Sequence, residues 1–342
     1  MSICTGMSAE VVSLPARAPS LGPILSLTQT SMNAVNQIIL DRMQSEIPLI
    51  PALAGHLIAG GGKRMRPMLT LAGAAACGYQ GTRHHRLAAA VEFIHTSTLL
   101  HDDVVDGSET RRGQSTANIV FGNPAAVLVG DFLFARAFEL MVEDGSLRVL
   151  KILSSASAII AQGEVDQLVA QRRVETSEDR YLNIIGSKTA ALFAAASRIA
   201  AVVAETGEAE EQALDDYGRN LGIAFQLVDD AIDYDSSAAE MGKEKGDDFR
   251  EGKMTLPVIL AYARGSEEER QFWRDAIAGF RIEEEDLAHA VTLIRQHDAI
   301  DATRERARHF AERACDALSI FPDSKARAAM IDAARFAVSR GY

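Results

Sequence analysis

Apolar positions recur at three- and four-residue spacing through most of this chain, the period of helices with one buried face. Phe134, Phe138 and Met141, for example, fall at i, i+4 and i+7. The intervening positions are rich in Ala, Leu, Glu and Arg, which favour helix. Strand-like alternation is scarce. The pattern breaks at "AGGGKRMRP" (59–67), "CGYQG" (77–81), "FGNP" (121–124), "EDGS" (143–146) and "FPDS" (321–324). Ser266 and Glu269 stand at capping-box spacing, which predicts a helix starting there. Residues 1 to about 30 carry Pro15, Pro19 and Pro23 and few charges, and read as a flexible lead. No linker-like stretch and no short repeat divides the remainder, so the pattern predicts one all-α domain over residues 31–342.

Composition narrows the function classes. A chain of 342 residues with 47% hydrophobic content can bury a large core. A net charge of -12 argues against nucleic acid or an anionic membrane as the main partner, although metal ions or a local basic pocket would still admit an anionic substrate. Cys4, Cys77 and Cys315 are odd in number and widely spaced, so they suggest neither a disulfide framework nor a zinc site, and a reducing cytoplasm fits. The N-terminus lacks a basic region leading into an apolar run, so no secretory signal is expected. No uninterrupted apolar run reaches the roughly 20 residues of a transmembrane segment; the nearest, 190–204, carries Arg198.

The chemistry is announced by a repetition. "HDDVVD" at 101–106 is echoed by "LVDDAID" at 227–233, and both contain D-D-x-x-D in apolar helical surroundings. On a helix, i and i+4 share a face, so Asp102 and Asp106 point one way, as do Asp229 and Asp233. One such triplet is as easily a solvated surface as a site; two copies are harder to dismiss. Like charges 4 Å apart repel by roughly 4 kcal/mol at an effective dielectric near 20, so carboxylates crowded on an apolar wall need counter-charge. Hard divalent cations suit carboxylate oxygens, and magnesium shares its remaining sites with substrate phosphates. The paired motifs therefore point to a phosphate or diphosphate bridged between two helices by metal.

Basic residues supply the other half. Lys63, Arg64 and Arg66 follow three glycines, which could form an anion-binding nest, but no ATP-type P-loop pattern follows them. Arg111 and Arg112 come just after the first aspartate triplet, and the planar arginine fork pairs well with phosphate oxygens. His95 lies seven residues before Asp102, on nearly the same helical face. Lys188, Thr189, Gln226, Lys243 and Lys253 are individually unremarkable.

In sequence order, G-G-K-R-x-R-P, a His seven residues before D-D-x-x-D, R-R-G, K-T, F-Q-x-x-D-D-x-x-D and "GKEKGDDFREGKMTLP" resemble the trans-isoprenyl diphosphate synthase family, most of all its long-chain polyprenyl (octaprenyl to decaprenyl) branch. The resemblance runs from about residue 33 to the C-terminus. Met254 stands where the family often has proline.

That resemblance implies a large antiparallel helical bundle around a central cavity, usually a homodimer. It implies that Asp102, Asp103, Asp106, Asp229, Asp230 and Asp233 hold about three magnesium ions that grip an allylic diphosphate. Arg111, Lys188, Thr189, Gln226, Lys243 and Lys253 would line that site, and Lys63, Arg66, His95 and Arg112 would hold the diphosphate of isopentenyl diphosphate. The allylic C–O bond would ionise, the alkene would attack the cation, and the released proton would leave with the diphosphate. No Ser-His-Asp or Cys-His arrangement is needed. Short-chain relatives carry a bulky aromatic four or five residues before the first motif. Thr98 and Ser97 are small here, which implies an open tunnel and a product of about C40 to C50, of the kind used as a ubiquinone side chain, with a floor from Met141 and Leu153.

Alternatives differ in what they require. A short-chain farnesyl or geranylgeranyl synthase would need the tunnel blocked. A terpene cyclase would need no second diphosphate pocket, and a catalytically silent partner subunit would be expected to lose aspartates. A di-iron bundle would need a second copy of the E-x-x-H formed by Glu92 and His95.

Overall fold

The structure, a computed structural model, describes residues 18–59, 62–111, 113–235, 246–279 and 283–339. It is helical almost throughout. The principal helices are α1 (Gly22–Arg42), α2 (Leu49–Ala59), α3 (Met65–Ala76), α4 (Arg83–Val105), the short α5 (Ala117–Phe121), α6 (Asn123–Asp144) and α7 (Leu147–Ala170). They continue with α8 (Glu178–Ile185), α9 (Ala191–Val203), α10 (Glu208–Asp233), α11 (Asp247–Arg250), α12 (Leu256–Arg264), α13 (Glu267–Trp273), α14 (Glu284–Gln296), α15 (Ala299–Ala317) and α16 (Lys325–Ser339). Among the described residues the only strands are the two-residue β1 (Thr110–Arg111) and β2 (Gln114–Ser115), paired antiparallel just after the first aspartate triplet.

The helix boundaries follow local chemistry. Ser146 and Ser177 cap α7 and α8 by accepting from the N–H of Val149 and Arg180. The capping box expected at Ser266 and Glu269 is present and starts α13. Gly145, at φ 78°, ends α6 in the left-handed conformation that only glycine adopts without strain. One boundary differs from the sequence reading. Helix α1 begins at Gly22, inside the stretch expected to be flexible to about residue 30, and Ile24 within it is fully buried. Pro23 sits in the first turn, where its missing N–H costs nothing, and the buried Ile24, Thr28, Val35 and Ile39 line one helical face.

Three apolar clusters fill the interior. One lies among α4, α6, α7 and α9; a second joins α10 to α12, α14 and α15; a third joins α3, α10 and α16. Residues Glu178–Val203 run as one continuous 26-residue helical segment, long and apolar enough to cross a membrane (mean hydropathy 1.2). Its apolar window is 78% buried inside the protein, so its hydrophobicity serves the core. Midway, residues Gly186–Ala190 form a π turn, a widening often found at functional sites, and that turn carries Lys188 and Thr189. Glycines let neighbouring helices press against it. A Cβ on Gly163 of α7 would lie 2.8 Å from the Lys188 backbone nitrogen, and one on Gly222 of α10 would lie 2.6 Å from the Cα of Ala190.

Candidate active site

The first aspartate triplet lies at the end of α4. Asp102 and Asp103 occupy its last turn, and Asp106 caps it, its N–H donating to the Asp102 carbonyl. Asn118 of α5 donates to the Asp103 carbonyl at 3.2 Å, which pins the loop that follows. Each carboxylate has a cation against it. Arg111 donates from Nε and Nη2 to Asp103 Oδ1 at 2.9 and 2.6 Å. Lys253 Nζ donates to Asp106 Oδ2 at 2.9 Å. Lys188 Nζ stands 3.7 Å from Asp102 Oδ2 and 2.7 Å from Glu164 Oε2.

The second triplet ends α10. Asp230 is the most enclosed of its three carboxylates: the Tyr181 hydroxyl donates to its Oδ2, and Gln226 Nε2 donates to its Oδ1 at 2.8 Å. Gln226 is oriented in turn by Thr189, whose hydroxyl donates to its Oε1 at 2.8 Å. Asp233 accepts the Asp248 N–H at 3.2 Å, and Asp229 is half-buried on the same helix.

The electrostatics are those of a site short of positive charge. Burial raises the Asp102 carboxyl above the usual range; Lys188 opposes this and Asp106 adds to it. Burial, with Asp248 and Asp229 alongside, pushes Asp230 up to about 8 against the pull of its hydrogen bonds. Glu164 is raised by burial and by Asp102. Burial would pull Lys253 down, but Asp248, Glu251 and Asp106 around it hold it above the usual lysine range. Among the described residues no three acidic or imidazole side chains converge as a metal cage. The donor chemistry nevertheless fits a hard divalent cation. The set is all carboxylate, and the upward shifts of Asp102 and Asp230 are what a nearby cation relieves.

Three cavities adjoin these groups. One of about 160 Å³ is bounded by Lys63, Arg66, His95, Asp103 and Arg111. Arg66 Nη1 lies 2.9 Å from His95 Nε2, and Lys63 Nζ sits 5.3 Å over the Phe336 ring of α16. Arg64, between them, reaches Asn36 of α1 at 3.0 Å. A second cavity, about 450 Å³, runs down from Asp102 and Asp106 past Thr98 and Ser97 to Phe134, Ile160, Val165 and Leu168. A third, about 110 Å³, brings together Lys188, Thr189, Gln226, Asp230, Lys253 and Met254. Lys253 borders both of the last two and so stands between the triplets.

Several placements depart from the sequence reading. Arg111, expected beside the allylic diphosphate, holds Asp103 of the first triplet and also lines the cavity of Lys63, Arg66 and His95, so it stands between the two. Arg112 and Lys243 lie outside the described residues, as do Gly60 and Gly61 of the glycine run. Met141 and Leu153 are closed into the core and line none of these three cavities. Met141 shares a helical face with Phe134 but lies about 10 Å further along α6, beyond the cavity and among buried core residues. Phe134, packed edge-on against Phe138 at 5.2 Å, stands on the cavity wall. Glu164 of α7 and Tyr181 of α8 fall outside every motif, because other helices bring them in; Asp248 and Glu251 lie within "GKEKGDDFREGKMTLP" but carry no expected role there.

Residues 47–294 match the family model described as polyprenyl synthetase. An octaprenyl diphosphate synthase of Haemophilus influenzae is 44% identical over 325 residues, 94% of this chain and 98% of that one. Among solved structures, a polyprenyl synthase of Caulobacter crescentus complexed with calcium and isoprenyl diphosphate is similar at 52% identity and TM-score 0.92, covering 95% of this chain and 99% of that one. A decaprenyl diphosphate synthase of Rhodobacter capsulatus is similar at 50% identity and TM-score 0.91, covering 94% and 99%.

Proposed function

The chain belongs to the polyprenyl synthetase family and is a prenyltransferase, and on that premise we propose that it extends an allylic diphosphate with isopentenyl diphosphate to a product of the octaprenyl to decaprenyl class. The observation that carries the long product is the cavity below Asp102. It is bordered by the small Ser97 and Thr98 where a short-chain enzyme would need a plug. It then meets a groove along α6, past Phe134 and Phe138 to Val142, with which it shares Asp131 and Phe134. From Asp131 to Val142 that path follows about 16 Å of helix.

Asp102, Asp103, Asp106, Asp229, Asp230 and Asp233 would hold divalent cations, magnesium in this reading, which supply positive charge to the leaving diphosphate. Lys188 and Lys253 add fixed positive charge between the triplets, so charge developing on that diphosphate is met without reorganisation. The Thr189–Gln226–Asp230–Tyr181 chain of hydrogen bonds holds the second triplet and sets the amide of Gln226 so that its NH₂ faces Asp230. Lys63, Arg66 and His95 bind the diphosphate of isopentenyl diphosphate, with Arg111 at the boundary. Arg112 and Lys243 keep their expected roles in this proposal. The apolar side chains of Phe134 and Ile160 shield the allylic cation and guide the growing chain. The proton released after each addition goes to the departing diphosphate, and no protein base is required.

We further propose that the enzyme works as a homodimer in the cytoplasm and that its product becomes a quinone side chain. Support for the dimer is the apolar surface of α6 and α7, where Leu128, Val142, Val165 and Leu168 are 58–67% exposed. The test is a magnesium-dependent assay with labelled isopentenyl diphosphate and farnesyl diphosphate, followed by product sizing. Products that stop at farnesyl or geranylgeranyl length would refute the long-chain reading, and no turnover would refute the enzyme as a whole.

A further inference from the structure

The cavity bounded by Lys63, Arg66 and His95 has an aromatic support that none of the motifs includes. The Arg66 guanidinium carbon lies 4.4 Å from the centre of the Phe193 ring. Phe193 is fully buried on α9, four residues after Thr189 and five after Lys188. Its own position is set from two sides. Phe225, next to Gln226, packs against it at 5.7 Å and 41°. Gly218 of α10 lets the helices approach so closely that a Cβ there would stand 2.3 Å from the Phe193 carbonyl.

We propose that Phe193 is the positioning residue of the isopentenyl diphosphate site, its ring holding the Arg66 guanidinium flat so that its in-plane N–H groups meet His95 and the incoming diphosphate. This rests on Arg66 binding that diphosphate, as read above. Arginine has a long, freely rotating stem, and a diphosphate needs its fork in one plane. A ring face attracts the cation through its quadrupole and occupies the guanidinium face, leaving the N–H edge for hydrogen bonds. The ring is itself rigid, because it is buried between helices that its glycine neighbours bring into contact.

The alternative, that Phe193 only fills the core, predicts a different pattern in a double-mutant cycle. Phe193→Leu, Arg66→Ala and the double variant would be assayed with each substrate varied separately, alongside thermal melting. Phe193→Leu should raise KM for isopentenyl diphosphate about 3- to 30-fold, the range of a desolvated cation–π contact, with KM for the allylic substrate and kcat little changed. In the Arg66→Ala background the same substitution should add nothing further to that KM. An equal increase in both backgrounds, or no increase in either while Arg66→Ala itself has its effect, would overturn the positioning role alone. No effect of Arg66→Ala on that KM would instead overturn the site assignment, and the inference with it. If Phe193→Leu melts too low to assay, Phe193→Met, a flexible apolar filler without a π face, carries the same expectations.

Discussion

Replacing Thr98 with phenylalanine should turn a long-chain enzyme into a short-chain one. Thr98 is four residues before Asp102, about 6 Å down α4 from the first aspartate. It borders the cavity of about 450 Å³ and is only half-buried, so the new ring has space to enter that cavity. The variant gives up the hydrogen bond from the Thr98 hydroxyl to the His95 carbonyl, at 2.8 Å, which costs about 0.5–1.5 kcal/mol. Crowding adds about 1–3 kcal/mol. Against a typical total stability of about 5–15 kcal/mol the protein should remain folded. The aspartates and both diphosphate sites lie above the ring, so ionisation survives and extension stops when the chain reaches it. One turn of about 5.4 Å leaves room for products of about C15 to C20. The assay is chromatography of dephosphorylated products, with initial rates of isopentenyl diphosphate consumption measured in parallel. Met141→Leu is the control: because Met141 faces the core, its product length should match the parent's. A fully active Thr98→Phe enzyme that still makes the parent product would refute the tunnel path. A shortened product from Met141→Leu would show that the floor lies where the sequence, rather than the structure, places it.

Asp102→Ala and Asp229→Ala should each lower turnover at saturating magnesium by several kcal/mol of barrier, at least about 100-fold, while far-UV circular dichroism stays native; near-parental activity in either would remove the metal assignment. Lys63→Ala should raise KM chiefly for isopentenyl diphosphate and Lys188→Ala chiefly for the allylic substrate, because they border different cavities; matching profiles would argue for one shared pocket. A third expectation concerns pH. Burial, with His85 beside it, lowers His84 to about 4. The unfolded chain binds that proton near 6.5, so His84 favours folding above that pH and its contribution is lost as pH falls toward 4. At pH 5 the loss should be about 1–2 kcal/mol, and His84→Phe, which keeps the ring packed on Tyr79, should flatten the melting temperature between pH 7 and 5; an unchanged slope would refute it.

Periodicity alone was enough to establish an all-helical chain, because 3.6-residue spacing is a local property repeated over many turns. The same holds for the two aspartate triplets and for the capping box at Ser266, each written within seven consecutive residues. The start of α1 was misread because prolines mark both loops and first turns, and only burial of Ile24 tells the two apart. What the tertiary structure alone decided is everything that depends on which helix meets which. Glu164 reaches Lys188 from α7, Tyr181 reaches Asp230 from α8, and Lys253 stands between the triplets from the segment after α11. Phe193 meets Arg66 although 127 positions separate them in sequence. Met141 and Phe134 share a face on any helical wheel, yet about 10 Å along α6 separates them, and what packs over each end of that face puts one in the core and the other on the cavity wall. Motif spacing records neighbours along one helix; the counter-charges, supports and walls of this site come from other helices, and their distances are set only when the glycine-lined crossings and the apolar core bring those helices together.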